Sequence, residues 1–515
     1  MVGTFWALVP PILAIVLALI TKEAYSSLFI GVVVGALFVS GGNVVGALNA
    51  LISDGDAPGG MIAAVASNAG IFIFLVLLGI IVALVNATGG SAAFGRWAEK
   101  NIKTRVGAML ATFVLGILIF IDDYFNCLTV GSVMRPVTDS HRISRAKLAY
   151  LIDATAAPVC MIAPVSSWAA AVSATADKLG TGISGIQLFI RAIPYNFYSL
   201  LTFVFIIAIV LMKFDYGPMK MHEMAAQLEG RLGGLDKDED AKGNPKGRVI
   251  DLVLPVIILI VTCTIGMLYV GGFFGTDWWG GTDYAGDFIG AFGNTDAFVG
   301  LPWGSVIALV IIVIYYLCRR VISFKDTMEC VPKGFISMVP AMVILTLAVS
   351  LKNMTSALGA ADFVHGVMEG AAAGLQSMLP AVIFVVACIL AFASGTSWGT
   401  FGILIPIVTA IFPGDSKLLI IGISACLAGA VCGDHCSPIS DTTIMASAGA
   451  QVEHINHVST QLPYAITVAA VSFVTYIFAG FIQNAVVSLI IGVVLTVGTL
   501  FVIRSMEKKK GGAKA

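Results

Sequence analysis

Residues Cys432 to Thr443, "CGDHCSPISDTT", hold two carboxylates (Asp434, Asp441), one imidazole (His435), four hydroxyls (Ser437, Ser440, Thr442, Thr443) and a proline within Ala- and Gly-rich flanks. Carboxylates, hydroxyls and freed backbone carbonyls are the oxygen ligands that a hard cation such as sodium prefers. A carboxyl group in a low-dielectric site can instead carry a proton. Gly433 and Pro438 break a helix and release carbonyls and amides from their intrahelical partners. The strip therefore reads as part of an ion or substrate site. Cys432, His435 and Cys436 resemble a zinc cluster only superficially, because no second ligand pair accompanies them.

Three other places gather polar groups in apolar sequence. "IFIDDYFNCLTVGS" (119–132) carries Asp122, Asp123, Asn126 and Thr129. On a helix the adjacent aspartates point about 100° apart, so both reach one site only at a hairpin tip or a break. "AYLIDATAAPVC" (149–160) carries Asp153, which is either a buried ligand, a helix-end charge or an ion-pair partner of nearby Lys147. "FASGTSWGTFG" (392–402) offers Ser394, Thr396, Ser397 and Thr400 around three glycines. His454 and His457 fall in a short polar stretch expected to be solvated.

These residues sit in a chain of 515 residues that is 58% hydrophobic and 11% charged. No soluble domain of this length buries so much apolar sequence, so the chain reads as an all-α polytopic membrane protein. The basic residues lie in short clusters between apolar segments, which argues against nucleic-acid binding. The nine cysteines are scattered through apolar stretches and form no disulfide framework. The N-terminal "MVGTFWALVPPILAIVLALITKE" lacks a basic leader and reads as a first span.

A span needs about 20 apolar residues. Windows of that kind lie near 4–21, 25–40, 69–88, 186–213, 251–271, 297–317, 334–352, 461–482 and 484–503. The stretches 148–175 and 418–450 are long enough but interrupted. Lys and Arg cluster at 96–105, 135–147, 214–250, 319–333 and in the tail, whereas 266–304 has neither and carries four aspartates. The basic clusters are expected on the cytoplasmic side and 266–304 outside. Two cytoplasmic clusters then flank the single apolar stretch 105–137, which implies a re-entrant hairpin bent near Asp122–Asn126. The stretch 379–412 has the same form but enters from outside.

An internal repeat accompanies this inversion. "LVNATGGSAA" (84–93) aligns with "LKNMTSALGA" (351–360), "VGSVMRPVT" (130–138) with "FGILIPIVT" (401–409), and "APVSSW" (163–168) with "SPISDT" (437–442). Inverted repeats with interrupted helices point to a secondary transporter. The expected plan is residues 1–213 as the first repeat, 214–250 as a solvated cytoplasmic linker, 251–482 as the second repeat, and 483–515 as an extra span and basic tail. Each repeat contains a hairpin and a broken helix, giving about eleven full spans with the N-terminus outside and the C-terminus inside.

"IDDYFNCLTVGSVMRPVTD", "ISRAKLAYLIDATAAPVC", "PVSSW" and "CGDHCSPISDTTI" resemble the NhaC-type sodium/proton antiporter family, within the wider ion transporter superfamily. The resemblance implies inverted repeats, a bacterial-type cytoplasmic membrane and, as in some relatives, a homodimer. It makes Asp122, Asp123, Asp153, Asp434 and Asp441 leading ion- or proton-binding residues. Thr129, Ser166, Ser167, Ser440 and Thr442 stand in support, with sodium-site candidates at Asp123, Asp153, Asp434 and Asp441. Asn126, Thr396, Ser397, His435 and Ser437 complete the candidate set read from the polar strips. The expected partners are a small ion and membrane lipid, with sodium or protons as coupling ions and no organic cofactor. Some relatives exchange organic anions or carry amino acids, so those cargoes stay open. A channel is disfavoured by the paired inverted breaks, and an enzyme because 160–166 repeats none of the Asp434/His435/Ser437 chemistry.

Overall fold

The computed structural model describes residues 2–21, 24–55, 59–90, 93, 97, 100–120, 123–163, 168, 172, 185–235, 246–360, 362–363, 376–412 and 416–512. Helices dominate them, and the isolated pairing of Gly234 with Val452 is the one β-bridge among the described residues. Sixteen helices position the site: α1 Val9–Thr21, α2 Ala24–Val39, α3 Ala69–Ala87, α4 Arg105–Leu118, α5 Asp123–Ser140, α6 Arg145–Cys160, α7 Phe197–Met212, α8 Ile250–Val270, α9 Ala297–Cys318, α10 Phe324–Ala357, α11 Leu379–Ser394, α12 Ser397–Ile411, α13 Lys417–Cys436, α14 Asp441–Ala450, α15 His454–Ile482 and α16 Ala485–Gly512.

Six of these are long and apolar enough to cross a membrane: α3, α8, α9, α13, α15 and α16. The segment Leu188–Tyr195 and α7, bent by 43°, pass the same test together. The chain is a polytopic helical membrane protein. The starts of the helices that enter the polar region follow local chemistry. Thr104, Ser144, Thr396, Ser416 and Ser440 each accept a backbone N–H two or three residues into α4, α6, α12, α13 and α14. Ser and Thr satisfy the orphan donors of a first turn in this way.

The interruptions fall largely where the polar strips place them. Helices α4 and α5 are separated at residues 119–122. The interruption therefore precedes most of the expected Asp122–Asn126 bend: Asp123 opens α5, and Asn126 lies one turn inside it. Helices α11 and α12 part at Gly395 and Thr396, and α13 and α14 at Ser437–Ser440. Gly395 has φ +65°, and a Cβ there would lie 2.5 Å from the Ile439 carbonyl oxygen, so the tip of the second hairpin rests on the break after α13. A Cβ at Gly433 would lie 2.2 Å from the Cys388 carbonyl oxygen, which brings α11 and α13 into backbone contact. On the other side of the bundle α3 packs on α9 and α10, and α8 packs on α9.

Part of the expected solvated linker is folded instead. Residues Gly217–Met224 form a helix whose Glu223 is 2% exposed. Glu223 accepts from Ser144 N at 2.8 Å and pairs with Arg105. Farther along, Leu235 N donates to Gln451 O at 3.0 Å and Arg145 N donates to Leu232 O at 2.8 Å. Two buried cationic stems, Lys147 and Arg145, require partners that the ends of α6 cannot supply. Lys147 finds Asp215 at 2.6 Å, and Tyr464 OH donates to the same carboxylate at 2.6 Å. Arg145 grips both oxygens of Asp139 at 2.7 Å and donates to Ala450 O.

Burial opposes ionisation of Asp215, but the Lys147 ammonium and the Tyr464 hydroxyl outweigh it and hold the carboxyl below the usual carboxylate range. A carboxylate with a depressed folded-state pKa stabilises the fold above its unfolded value of about 3.9, and that contribution disappears as pH falls through the folded value. Lys147→Met is therefore expected to destabilise the detergent-solubilised protein at pH 7 by about 3 kcal/mol, since it leaves a mostly buried anion without its cation. Thermal unfolding followed across pH should show the gap from wild type closing below about pH 4.

Candidate functional site

Asp434 occupies the last turn of α13 and is 4% exposed. Ser397, the first residue of α12, donates to Asp434 Oδ2 at 2.5 Å and also reaches the Ala430 carbonyl at 3.0 Å. The other carboxylate oxygen, Oδ1, is buried with no close hydrogen-bond partner among the described residues, although the Ser440 hydroxyl faces the carboxyl group. Around this pair the predicted hydroxyls act on the breaks. Ser437 donates to Phe392 O at 2.8 Å, tying the break to α11. Ser440 caps α14 through Thr443 N and lies 2.9 Å from the Thr442 hydroxyl. Thr396 caps α12 through Gly399 N.

Asp153 lies mid-helix in α6, 1% exposed, and its ion-pair alternative is overturned because Lys147 is committed to Asp215. Gln461 Nε2 donates both to Asp153 Oδ2 at 2.8 Å and to the His435 carbonyl at 2.6 Å. His435 Nε2 and His457 Nε2 stand 4.0 and 3.8 Å from the same carboxylate oxygen. His435 Nδ1 meets Tyr198 OH at 2.7 Å, and Tyr150 stacks on its ring. The expected solvation of His454 and His457 is wrong: they are 7% and 0% exposed. His454, His457 and Gln461 are spaced three and four residues apart, which puts them on one face of α15 and turns them inward. That spacing was the available signal, but the apolar window opened only at 461. Tyr198 and Ser447 carried no comparable signal.

The first hairpin meets the second broken helix. Asp123, 1% exposed, sits in the first turn of α5, where helix dipoles favour negative charge. Tyr124 OH donates to Asp441 Oδ2 at 3.2 Å, and Cys127 Sγ reaches Thr442 O at 3.6 Å. Asn126 proves to be a fastener: its Nδ2 donates to Gly116 O at 2.6 Å and Ile119 O at 2.8 Å, closing the hairpin tip. Thr129 is not brought to the carboxylates and instead lines a small cavity with Ser132, Leu78 and Pro255 against α3 and α8. Asp122, Ser166 and Ser167 lie outside the described residues.

Helix ends, hydroxyls and carboxylates converging between interrupted helices define an integral membrane transporter with a buried, oxygen-rich polar centre. Among the described residues no three His, Cys, Asp or Glu side chains are grouped to hold a metal ion in a cluster. The model of the Na+/H+ antiporter family matches residues 159–481. A Haemophilus influenzae protein described as uncharacterized is 35% identical over 522 aligned positions, covering 99% of this chain and 96% of its own length. The chain belongs to the Na+/H+ antiporter family, in keeping with the motifs quoted above, and is a secondary antiporter rather than an enzyme. Shorter matches join it to the malate-2H+/Na+-lactate antiporter of Bacillus subtilis, 27% identical over 32% of this chain and 34% of that protein. The arginine/ornithine antiporter of Halobacterium salinarum is 35% identical over 21% of this chain and 23% of its own.

Because Asn126 satisfies two carbonyls that the hairpin bend leaves open, Asn126→Ala should lower stability by about 2 kcal/mol. The shift in detergent thermal unfolding should exceed that of Thr129→Ala, whose hydroxyl has no partner among the described residues.

Proposed function

We propose that the protein exchanges sodium for protons by alternating access, with the cation seated at Asp434 between the tip of the second hairpin and the break after α13. The observation that carries this reading is the Ser397–Asp434 contact, which joins the two interruptions through a buried carboxylate that also faces the Ser440 hydroxyl. A bare sodium ion needs several oxygens, and the Asp434 carboxylate with the Ser397 and neighbouring hydroxyls would provide them. Sodium and a proton would compete for the same carboxylate, and that competition is the coupling. Asp123 and Asp441 would form the matching polar junction of the first hairpin. Asp153 takes no part in the cation seat and touches it only through Gln461.

Two further features support inverted repeats. Tyr124 and Cys127, one and four residues into α5, meet Asp441 and Thr442. Trp398 and Phe401, one and four residues into α12, pack on Trp168 at ring distances of 6.1 Å. Thr442 and Trp168 are partners in the sequence repeat, so each hairpin meets the far half of the other repeat's broken helix in the same way. We take the chain as eleven spans and two re-entrant hairpins in a bacterial-type cytoplasmic membrane, divided at 213, 250 and 482, with the C-terminus inside. A second reading, exchange of a small organic ion coupled to sodium or protons, draws on the cargoes named for the two shorter relatives.

Proteoliposomes loaded with a pH dye and given sodium, lithium, malate, lactate, arginine or ornithine gradients separate the readings. Under the first, sodium alone moves protons, Asp434→Asn abolishes the exchange, and Ser397→Ala raises the half-saturating sodium concentration about tenfold. Proton movement that requires an organic ion favours the second reading. Exchange that survives Asp434→Asn removes the proposed seat. For topology, Asp283→Cys should label from outside and Arg231→Cys from inside, and same-side labelling defeats the inverted arrangement.

A further inference from the structure

Ser447, His454 and His457 are absent from the cation seat, yet together they fix where protons lie deep in the protein. His454 Nε2 is 2.6 Å from the Pro438 carbonyl oxygen, which can only accept, so Nε2 carries a hydrogen. His454 Nδ1 and His457 Nδ1 both contact the Ser447 hydroxyl, at 3.0 and 2.9 Å. That hydroxyl has one hydrogen, with His454, His457 and the Thr443 carbonyl as its three neighbours. With the hydrogen directed at His457 or at the Thr443 carbonyl, a neutral His454 faces the Ser447 oxygen lone pair to lone pair. Only when Ser447 donates to His454 are both ring contacts satisfied with neutral rings, and Nδ1 of His457 then carries the hydrogen and donates to Ser447. A neutral His457 then presents a bare Nε2 to Asp153 Oδ2, 3.8 Å away, with both groups closed off from solvent. Two lone pairs facing each other in a buried gap are repulsive, and one proton shared between them turns the repulsion into an attraction that would close the 3.8 Å gap to hydrogen-bond distance.

We propose that Asp153 and His457 form a one-proton seat, distinct from the cation seat at Asp434 and oriented by Ser447 and His454. The proton moves between Oδ2 of Asp153 and Nε2 of His457, and no other bond forms or breaks. The titratable groups facing the pair are Asp434, His435 and Cys436 from α13 and His454 from α15, with Tyr198 of α7 behind His435. Gln461 and Thr443 supply neutral hydrogen bonds to Asp153. Gln461 is also the mechanical link, because the same amide holds the His435 carbonyl beside Asp434. Loading or emptying the proton seat would thus be felt one residue from the cation. The inference deepens the exchange reading and depends on it only for which flux the proton accompanies.

Infrared difference spectra of the purified full-length protein during a pH titration test the seat without any transport assay. The expected result is one step in which carboxyl and imidazole bands change together, lost in Asp153→Asn and in His457→Gln. Ser447→Ala, which leaves both partners in place, should move that step by about one pH unit. Two independent steps, or a joint step that persists in Asp153→Asn, overturn the proposal. In proteoliposomes His457→Gln and Ser447→Ala should shift the pH midpoint of exchange with the half-saturating sodium concentration unchanged, the converse of Ser397→Ala. An unmoved midpoint in both variants also overturns it. A protein that shows the joint step but exchanges no sodium retains the proton seat and loses only the exchange reading.

Discussion

Helices interrupted inside hydrocarbon expose amides and carbonyls that lipid cannot satisfy, and every other feature of this protein's polar centre answers to that constraint. The carbonyls of Gly116 and Ile119 are taken by Asn126, that of Phe392 by Ser437, that of His435 by Gln461 and that of Pro438 by His454. All five lie at or near helix ends. The polar side chains that look like ligands in the sequence therefore divide into two trades, fastening backbone and facing the ion. Ser437 and Asn126 belong to the first, Asp434 is proposed for the second, and Gln461 fastens the His435 carbonyl while also holding Asp153. A buried break is stable only where such side chains are dense, and that density also supplies oxygen atoms to a cation.

The surrounding architecture keeps the breaks from drifting apart. Helices α11 and α13 touch backbone to backbone, while α5 packs against α14 and so binds the first hairpin to the second broken helix. The folded segment after α7 closes one end of the bundle through Glu223, Asp215 and the Gly234–Val452 bridge. Cationic residues at that end are paired inside the protein, in contrast to the exposed basic tail.

Much of this was legible in the sequence. Apolar windows marked α3, α8, α9 and α16 closely, because an uninterrupted lipid-facing helix has a strong signal. Pro438 falls in the break after α13, whereas Gly433, expected to break a helix, lies inside α13 because its missing side chain serves the close contact with α11 instead. The carboxylates Asp123, Asp153 and Asp434 are all buried, as their apolar settings suggested. Less was legible where function depends on which side of a helix faces inward. His454 and His457 read as solvated because they adjoin a turn, yet the first two turns of α15 plunge directly into the protein. Thr129 read as a ligand because of its neighbours, yet α5 turns it toward α3 and α8. Partner choice also escaped: Lys147 is six residues from Asp153 in sequence, but Asp215 reaches it from the segment after α7.

Gly433, whose backbone presses on Cys388, is the residue immediately before Asp434. The spacing of two helices and the position of one carboxylate are thereby set by a single joint. A cation seat walled in this way could not swell to admit a larger ion or shrink onto a smaller one without parting α11 from α13. Discrimination by ionic radius would then be a property of helix packing, and a change far from any oxygen ligand could retune it by widening that joint a few tenths of an ångström.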